Sequence, residues 1–246
     1  MPSGAPDVRL KLTVAYDGTE FRGWARQPDQ RTVEGVLSEA LGRVYDSAER
    51  LAVAGRTDTG VHALGNVVSV DLKGGPPPAR ALEALNAVLP DDVAVLHAEE
   101  AAHDFHARHS ARSRSYRYRI WRLRSRSPFE VNRSLWHPRP LDLQRLQASA
   151  AMLAGEHDFR AFTPTDTQHE VFVRVVEDAR WHVRGEVVEL EVTADSYLRH
   201  MVRTLVGTML EKEPDDFLRL LQGAPRSAAG STAPACGLYL VAVGYD

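Results

Sequence analysis

The amino-acid sequence predicts an α+β fold made of two βαββαβ units in tandem. In each half of the 246 residues, apolar side chains recur at strand and helix spacings in the order strand, helix, strand, strand, helix, strand. No glycine- or serine-rich linker separates the halves, so we expect them to pack tightly. Two such units are predicted to be ferredoxin-like halves. The alternative is a chance agreement between two loosely defined patterns.

The elements of the first half follow from periodicity and capping. Apolar and polar residues alternate from Val8 to Val14, which predicts a strand. Thr32 can cap a helix whose apolar positions have helical spacing: Val33, Val36, Leu37, Ala40, Leu41 and Val44. Two strands, a helix that Pro90 ends and a closing strand complete this half: 51–54, 66–72, 81–89 and 93–98.

The second half repeats this order. Asp142 can cap a helix that Gly155 closes, and Arg184-Gly185 lies near the turn of a hairpin. A long amphipathic helix is predicted from Leu198 to Leu210. The other elements are a first strand, the two hairpin strands, a short helix and a last strand: 116–123, 171–183, 187–193, 217–221 and 237–243.

The boundary between the halves is predicted near residues 105–112. Residues 1–108 form the N-terminal half, which carries the Asp58 loop. Residues 109–246 form the C-terminal half, which carries the Tyr116 strand and the Arg203 helix.

Composition limits the class of protein. Hydrophobic residues make up 43% and charged residues 26% of the chain, as in ordinary globular proteins. Cys236 is the single cysteine, which excludes an intramolecular disulfide and fits a reducing compartment. Residues 1–10 hold no apolar core of signal-peptide length, and no run reaches the ~18 apolar residues of a membrane span. We therefore expect a cytoplasmic protein that has no contact with membranes.

The charge balance is less informative. The net charge of −3 argues against a nucleic-acid partner only on average, because local patches decide binding. All but three of the 30 basic residues are arginine. Arginine suits phosphate and base recognition, but a GC-rich genome would also enrich it.

The segment from Gly55 to Ala63 is the first candidate for chemistry. Two glycines flank Asp58 in a tight loop after a short strand, with Arg56 and His62 close by. Loops held on a rigid scaffold often carry catalytic groups. The alternative is a plain turn in which Asp58 caps backbone amides. The tripeptide Asp-Thr-Gly also marks aspartic proteases, but those enzymes need two carboxylates and this sequence has one copy.

The segment 108–126 is the second candidate. It holds eight arginines and no acidic residue, with aromatic residues interleaved. Alternation predicts one strand face with Tyr116, Tyr118 and Ile120 and the opposite face with Arg117, Arg119 and Trp121. This combination favours RNA contact. The alternative is an edge strand protected by its charge.

The helix after Thr193 is the third candidate. Arg199 and Arg203 are four residues apart and are predicted to share one helix face. An arginine beside a buried aspartate keeps the carboxylate ionised, whereas the alternative is a pair of surface arginines.

Metal and nucleotide sites are not expected. His103, His106 and His109 recur every third residue, but no fourth ligand accompanies them. No phosphate-binding glycine loop is present, so neither ATP nor NAD is expected as a cofactor.

Together these segments resemble the tRNA pseudouridine synthase A family from about Arg9 onward. Six ordered motifs carry the resemblance: 16–24 (YDGTEFRGW), 55–63, 105–108 with 114–118, 155–159, the helix through 201–203, and 237–240. The sequence departs from the family pattern at positions without an assigned chemical role: Ala25, Thr59, His109 and Thr163.

The resemblance implies an enzyme that isomerises uridine to pseudouridine in the anticodon stem-loop of tRNA, at tRNA positions 38, 39 and 40. It implies a homodimer that needs no cofactor. It also implies two ferredoxin-like halves that form an extended, largely antiparallel sheet with helices on one face and a basic cleft.

The resemblance also implies the roles of single residues. Asp58 corresponds to the catalytic carboxylate, Tyr116 to the tyrosine that contacts the substrate, and Arg203 to the arginine that supports the aspartate. Arg56, Arg108 and Arg114 are the expected RNA-binding residues, and no metal ligand is expected.

Two other functions fit parts of the sequence. A pure RNA-binding module would not need an acid in the 55–63 loop. A hydrolase of N-glycosidic bonds would normally need a second acid or base to activate water, and the motifs place none near Asp58. Release of free uracil would distinguish this hydrolase from the isomerase.

Overall fold

The computed structural model describes residues 8–245. Within that range the chain is a mixed α+β protein with mostly antiparallel strands, which confirms the predicted class. It divides into two compact units, one of Met1–Arg112 with Leu240–Asp246 and the other of Ser113–Tyr239. No helix among the described residues is long and apolar enough to cross a membrane.

The first unit has the element order βαββαβ. Its elements are β1 Val8–Tyr16, α1 Val33–Val44, β2 Ser47–Val53, β3 His62–Lys73, α2 Ala81–Asn86 and β4 Val93–Glu100. Strand β1 lies between β4 and β3, and β2 pairs with β3, all antiparallel. The last strand, β10 (Leu238–Gly244), gives its residues from Leu240 onward to this unit.

Capping residues and alternating burial account for the helices and strands of the first unit. The Thr32 hydroxyl accepts a hydrogen bond from the Gly35 amide, which confirms the predicted cap of α1. Strand β1 buries alternate side chains, as predicted. Helix α2 ends at Asn86, three residues before the predicted end. There the Asn86 side chain makes two hydrogen bonds of 2.8 Å with the Val95 backbone.

The second unit contains β5 to β9 and three α-helices. Its elements are β5 Ser113–Trp121, β6 Leu135–Trp136, α3 Leu143–Ala151, β7 Gly155–Asp158, β8 Val173–Arg184, β9 Val187–Ala194, α4 Met201–Glu211 and α5 Pro214–Leu220. The strand order β5-β9-β8-β7 is antiparallel, and β6 runs parallel to β5. Asp142 caps α3 as predicted, by accepting from the Arg145 amide.

The predicted helix face that joins Arg199 to Arg203 is wrong. Helix α4 begins at Met201, because the backbone of His200 adopts a left-handed conformation with φ of +62°. Arg199 therefore precedes the helix, where it forms an ion pair with Asp166. Arg203 lies in the first turn of α4.

Two short elements and one boundary also differ from the prediction. Strands β6 and β7 have two and four residues, too few to show a period. Helix α3 ends at Ala151, so Gly155, predicted to close it, instead begins β7 with φ of +106°.

Candidate active site

Asp58 lies in the loop that connects β2 to β3. The loop runs from Ala54 to Val61, between two paired antiparallel strands that hold both of its ends. Thr57 is buried, Asp58 is half-buried, and Arg56 and Thr59 are exposed. Asp58 therefore lies on a loop whose two ends are fixed by paired strands. Its role as the catalytic carboxylate stays a prediction.

Hydrogen bonds fix the backbone on both sides of Asp58. The Thr57 carbonyl accepts from the Trp24 amide at 2.9 Å, and the Gly60 amide donates to the Phe21 carbonyl at 3.3 Å. The Asp58 carbonyl accepts from the Val61 amide at 3.1 Å, which closes a turn across Gly60, where φ is +77°. These bonds hold the loop against the segment Phe21–Trp24.

Glycines allow this close approach. A methyl group on Gly23 would lie 2.9 Å from the Thr57 carbonyl oxygen, and its φ of +91° disfavours any other residue. A methyl group on Gly18 would overlap the Val61 carbonyl. The 16–24 motif, recognised in the sequence only by its resemblance, is thus the surface on which the Asp58 loop packs.

A buried polar network lies under the loop. The hydroxyls of Tyr16 and Thr57 are 2.8 Å apart, and the Asn66 amide nitrogen donates to the Tyr16 hydroxyl at 3.2 Å and to the Gly55 carbonyl at 2.8 Å. Burial raises the pKa of Tyr16 to about 12, against the opposing effect of its two side-chain hydrogen bonds. Sequence reasoning missed this network, because hydropathy marks Tyr16 and Asn66 only as strand residues.

His62 is buried at the start of β3. Its Nδ1 accepts a hydrogen bond from the Gly18 amide at 3.0 Å. This contact gives the loop a second attachment to the 16–24 motif. His62 is therefore close to Asp58 in sequence because it attaches the end of the loop to Gly18.

Tyr116 lies on β5 in the second unit. It is on the inward face with Tyr118 and Ile120, which confirms the predicted alternation. Its ring centre is 4.8 Å from that of Tyr197, in an edge-to-face arrangement. The Tyr197 hydroxyl donates to the Val192 carbonyl at 2.9 Å, and burial raises its pKa well above the usual value. Tyr197 therefore fixes one side of the Tyr116 ring.

Arg203 is anchored to the segment before β10. Its Nε donates to the Ala233 carbonyl at 2.8 Å, and the Ala233 amide donates to the Arg203 carbonyl at 3.0 Å. The Tyr118 hydroxyl donates to the next carbonyl, that of Pro234, at 2.8 Å. The pairing of Arg203 with Asp58 stays a prediction.

The three arginines expected to bind RNA have different surroundings. Arg56 and Arg108 are exposed, each in the first unit. Arg114 is only 8% exposed, and its Nη1 donates to the Asp195 carbonyl at 2.8 Å. Their contacts with RNA stay predictions.

The arginines on the opposite face of β5 have acidic partners. Arg117 pairs with Glu191 at 3.0 Å, and Arg119 pairs with Glu189 and with Glu130, both at 3.1 Å. The segment 108–126 contains no acid, but strand pairing and a nearby loop supply three. The positive charge of these two arginines is therefore largely balanced within the second unit.

Three histidines lie near Arg108 in the sequence, and none of them is expected to bind a metal: His103, His106 and His109. His106 Nδ1 accepts from the amides of Arg108 and His109, at 3.1 and 3.3 Å. Burial and the neighbouring His109 lower the pKa of His106. Within residues 8–245, no three His, Cys, Asp or Glu side chains are grouped as metal ligands.

Comparison with known proteins gives the class and then the family. A family model described as tRNA pseudouridine synthase matches residues 12–110 and 149–246, and the chain belongs to this family. A tRNA pseudouridine synthase A from Geobacillus kaustophilus is 40% identical over 97% of this chain and 95% of its own length. The proteins of the same name from Moorella thermoacetica and Bacillus subtilis are 42% and 38% identical, over 96% and 97% of this chain and 99% and 100% of their own lengths. The predicted family is confirmed.

Among solved structures, a chain from the crystal structure of a Cbf5-Nop10-Gar1 complex is similar at 14% identity and a TM-score of 0.35. The match covers 94% of this chain and 57% of that one, and the score is too low to support any argument.

Proposed function

We propose that this chain isomerises uridine to pseudouridine in the anticodon stem-loop of tRNA, with the Asp58 carboxylate acting at the ribose and without a cofactor. As a member of its family, the chain is an isomerase of tRNA uridine. The proposal adds the region of the tRNA, the reacting carboxylate and the supporting residues.

The reaction balances without any other reactant. The bond between C1′ of the ribose and N1 of uracil breaks, the base turns, and a bond forms between C1′ and C5. The C5 proton leaves and N1 gains a proton, so product and substrate have the same composition. An ionised carboxylate can start this either by attacking C1′ or by removing the C2′ proton.

The anchored Asp58 loop is the observation that carries the proposal. Its carboxylate is half-buried, and the backbone on either side is hydrogen-bonded to the Phe21–Trp24 segment. A group held in this way needs little reorganisation when the substrate arrives. A pure binding module has no need for a fixed, partly buried acid at this position.

Tyr116 and Arg203 complete the proposed site. The target uridine must leave its stack to be reached, and Tyr116 stacks on the extruded uracil. Tyr197 holds the Tyr116 ring edge to face. Arg203 forms a charge-assisted pair that orients Asp58. Its Nε already donates to Ala233, which restricts where its remaining nitrogens can point.

The proposal includes a basic cleft and assigns RNA binding to Arg56, Arg108 and Arg114. The first two are exposed and suited to phosphates. We expect Arg114 to contribute less, because it is largely buried and bonded to Asp195.

We also propose that the protein consists of two ferredoxin-like halves and forms a homodimer. The βαββαβ order of the first unit, with β1 between β4 and β3 and with β2 on β3, supports the first ferredoxin-like half. The homodimer rests on the resemblance to the family.

The test is release of tritium from tRNA labelled at C5 of uridine. Wild type releases the label into water, whereas Asp58→Ala and Asp58→Asn slow release by more than about 1,000-fold. Filter binding shows that both variants keep tRNA affinity. Release of free uracil by the wild type would indicate the hydrolase, and unchanged tritium release by Asp58→Ala would refute the assignment of the carboxylate.

A further inference from the structure

The buried hydroxyl of Thr57 directly precedes Asp58 and belongs to a chain of three polar side chains. Tyr16, Thr57 and Asn66 are each less than 8% exposed and come from β1, the loop and β3. Buried polar groups need partners with good geometry. The hydrogen bonds among these three side chains therefore fix the loop more specifically than apolar packing would.

The direction of each hydrogen bond in the chain can be assigned. The Gly55 carbonyl only accepts and the Val67 amide only donates, so the Asn66 nitrogen faces Gly55 and its oxygen faces Val67. The second hydrogen on the Asn66 nitrogen goes to the Tyr16 oxygen.

The Tyr16 proton then has one acceptor among residues 8–245, the Thr57 oxygen at 2.8 Å. With its pKa raised to about 12 by burial, Tyr16 keeps this proton throughout the physiological range. The chain runs from Asn66 to Tyr16 to Thr57, and its last member is bonded through the backbone to Asp58.

We propose that Tyr16, Thr57 and Asn66 are positioning residues that set the orientation of the Asp58 carboxylate. The inference rests on the proposed function and deepens it. The side chain of Thr57 is held by Tyr16 and its carbonyl by the Trp24 amide, so residue 57 is fixed at two points. Rotation of the peptide between residues 57 and 58, which would swing the carboxylate, must break one of these bonds.

The decisive variants separate the effect of the Thr57 hydroxyl from the effect of its shape. Thr57→Val keeps the shape and removes the hydroxyl, whereas Thr57→Ser keeps the hydroxyl and removes a methyl group. Misplacing a catalytic group by about 1 Å can reduce the rate up to about 100-fold. We expect Thr57→Val to lower the single-turnover rate of tritium release by about 10- to 100-fold while tRNA affinity changes less than twofold. Thr57→Ser should recover most of that loss.

A matched tyrosine pair provides the control. Tyr16→Phe removes the middle of the chain and should lower the rate as Thr57→Val does. Tyr45 is equally buried in the same unit, but its hydroxyl has no hydrogen-bond partner among residues 8–245. Tyr45→Phe should leave the rate unchanged, and thermal unfolding identifies any variant that has lost its fold.

The outcomes separate this inference from the proposed function. If Asp58→Ala is inactive but folded Thr57→Val keeps the wild-type rate, the positioning role is refuted and the catalytic role of Asp58 stands. A Thr57→Ser variant no faster than Thr57→Val would also refute it. If Asp58→Ala is itself active, the proposed function fails first.

Discussion

Neighbouring residues in the Asp58 loop have separate tasks. Thr57 is buried and bonded at both its side chain and its carbonyl, whereas Asp58 is half-buried at the turn that follows. In the proposed function, the Asp58 carboxylate therefore acts from a backbone that the contacts of Thr57 hold in place.

The predicted pair of Asp58 and Arg203 can be tested without measuring activity. A double-mutant cycle of Asp58→Ala and Arg203→Ala on the free energy of unfolding isolates their interaction. We expect a coupling free energy above about 1 kcal/mol, because removing one member leaves the other charge without its partner. Effects that add within about 0.5 kcal/mol would contradict the pair. Chemical denaturation of the four proteins provides the values.

At the scale of elements, the 16–24 segment and the Asp58 loop form one packing unit. Gly23 lies close to the Thr57 carbonyl, and its backbone is left-handed. We expect Gly23→Ala to destabilise the protein by about 2 kcal/mol and to slow tritium release, because the methyl group pushes against the Thr57 carbonyl. Thermal unfolding and the tritium assay measure both effects.

Gly42 provides the control for this substitution. It lies exposed within α1, and a methyl group there would meet nothing within 4 Å. Gly42→Ala should stabilise the protein by about 0.5–1 kcal/mol without changing the rate. Equal effects of the two substitutions would show that the left-handed backbone of Gly23 has no special role.

Element boundaries show what the sequence could predict. The caps at Thr32 and Asp142 were predictable, because each side chain bonds to an amide three residues later. The start of α4 was not, because nothing in the hydropathy pattern signals a left-handed His200. The same limit applies to the site: the contact of Tyr16 with Thr57 joins residues 41 positions apart, and that with Asn66 spans 50.

The charges of β5 follow the same logic. The arginines of residues 108–126, without an acid among them, favoured RNA contact, but Arg117 and Arg119 pair with glutamates that are 74 and 70 positions away. Registers of strand pairing decide such contacts, and they depend on the whole fold. The aromatic alternation of β5 was predictable, because period-two burial is local.

For the whole molecule, buried tyrosines predict a loss of stability at alkaline pH. Burial raises the pKa of Tyr16 from the usual value of 10 to about 12, and it also raises the pKa of Tyr118 and of Tyr197 well above that usual value. Their stabilising effect is complete below pH 10, where they are neutral in both states, and is lost as pH rises toward the folded pKa. For Tyr16 alone the effect is about 2–3 kcal/mol.

The urea midpoint should therefore stay level up to about pH 10 and fall from there to about pH 11.5. In Tyr16→Phe the urea midpoint should fall less steeply with pH than in the wild type. Burial also raises the pKa of Tyr45, so in Tyr45→Phe the slope should lie between those two. A midpoint independent of pH over this range would contradict the burial of these hydroxyls.

The first unit is assembled from two stretches of chain that synthesis separates. Val243 and Tyr245 pack on a cluster of Ala54, Val67 and Ala107, and the Tyr245 hydroxyl donates to the Ala107 carbonyl at 2.8 Å. A ribosome adds Val243 and Tyr245 only after it has synthesised the whole of 113–239. Until then the cluster next to the Asp58 loop lacks its cover, so a nascent chain passes through a stage at which proteases and chaperones can reach it.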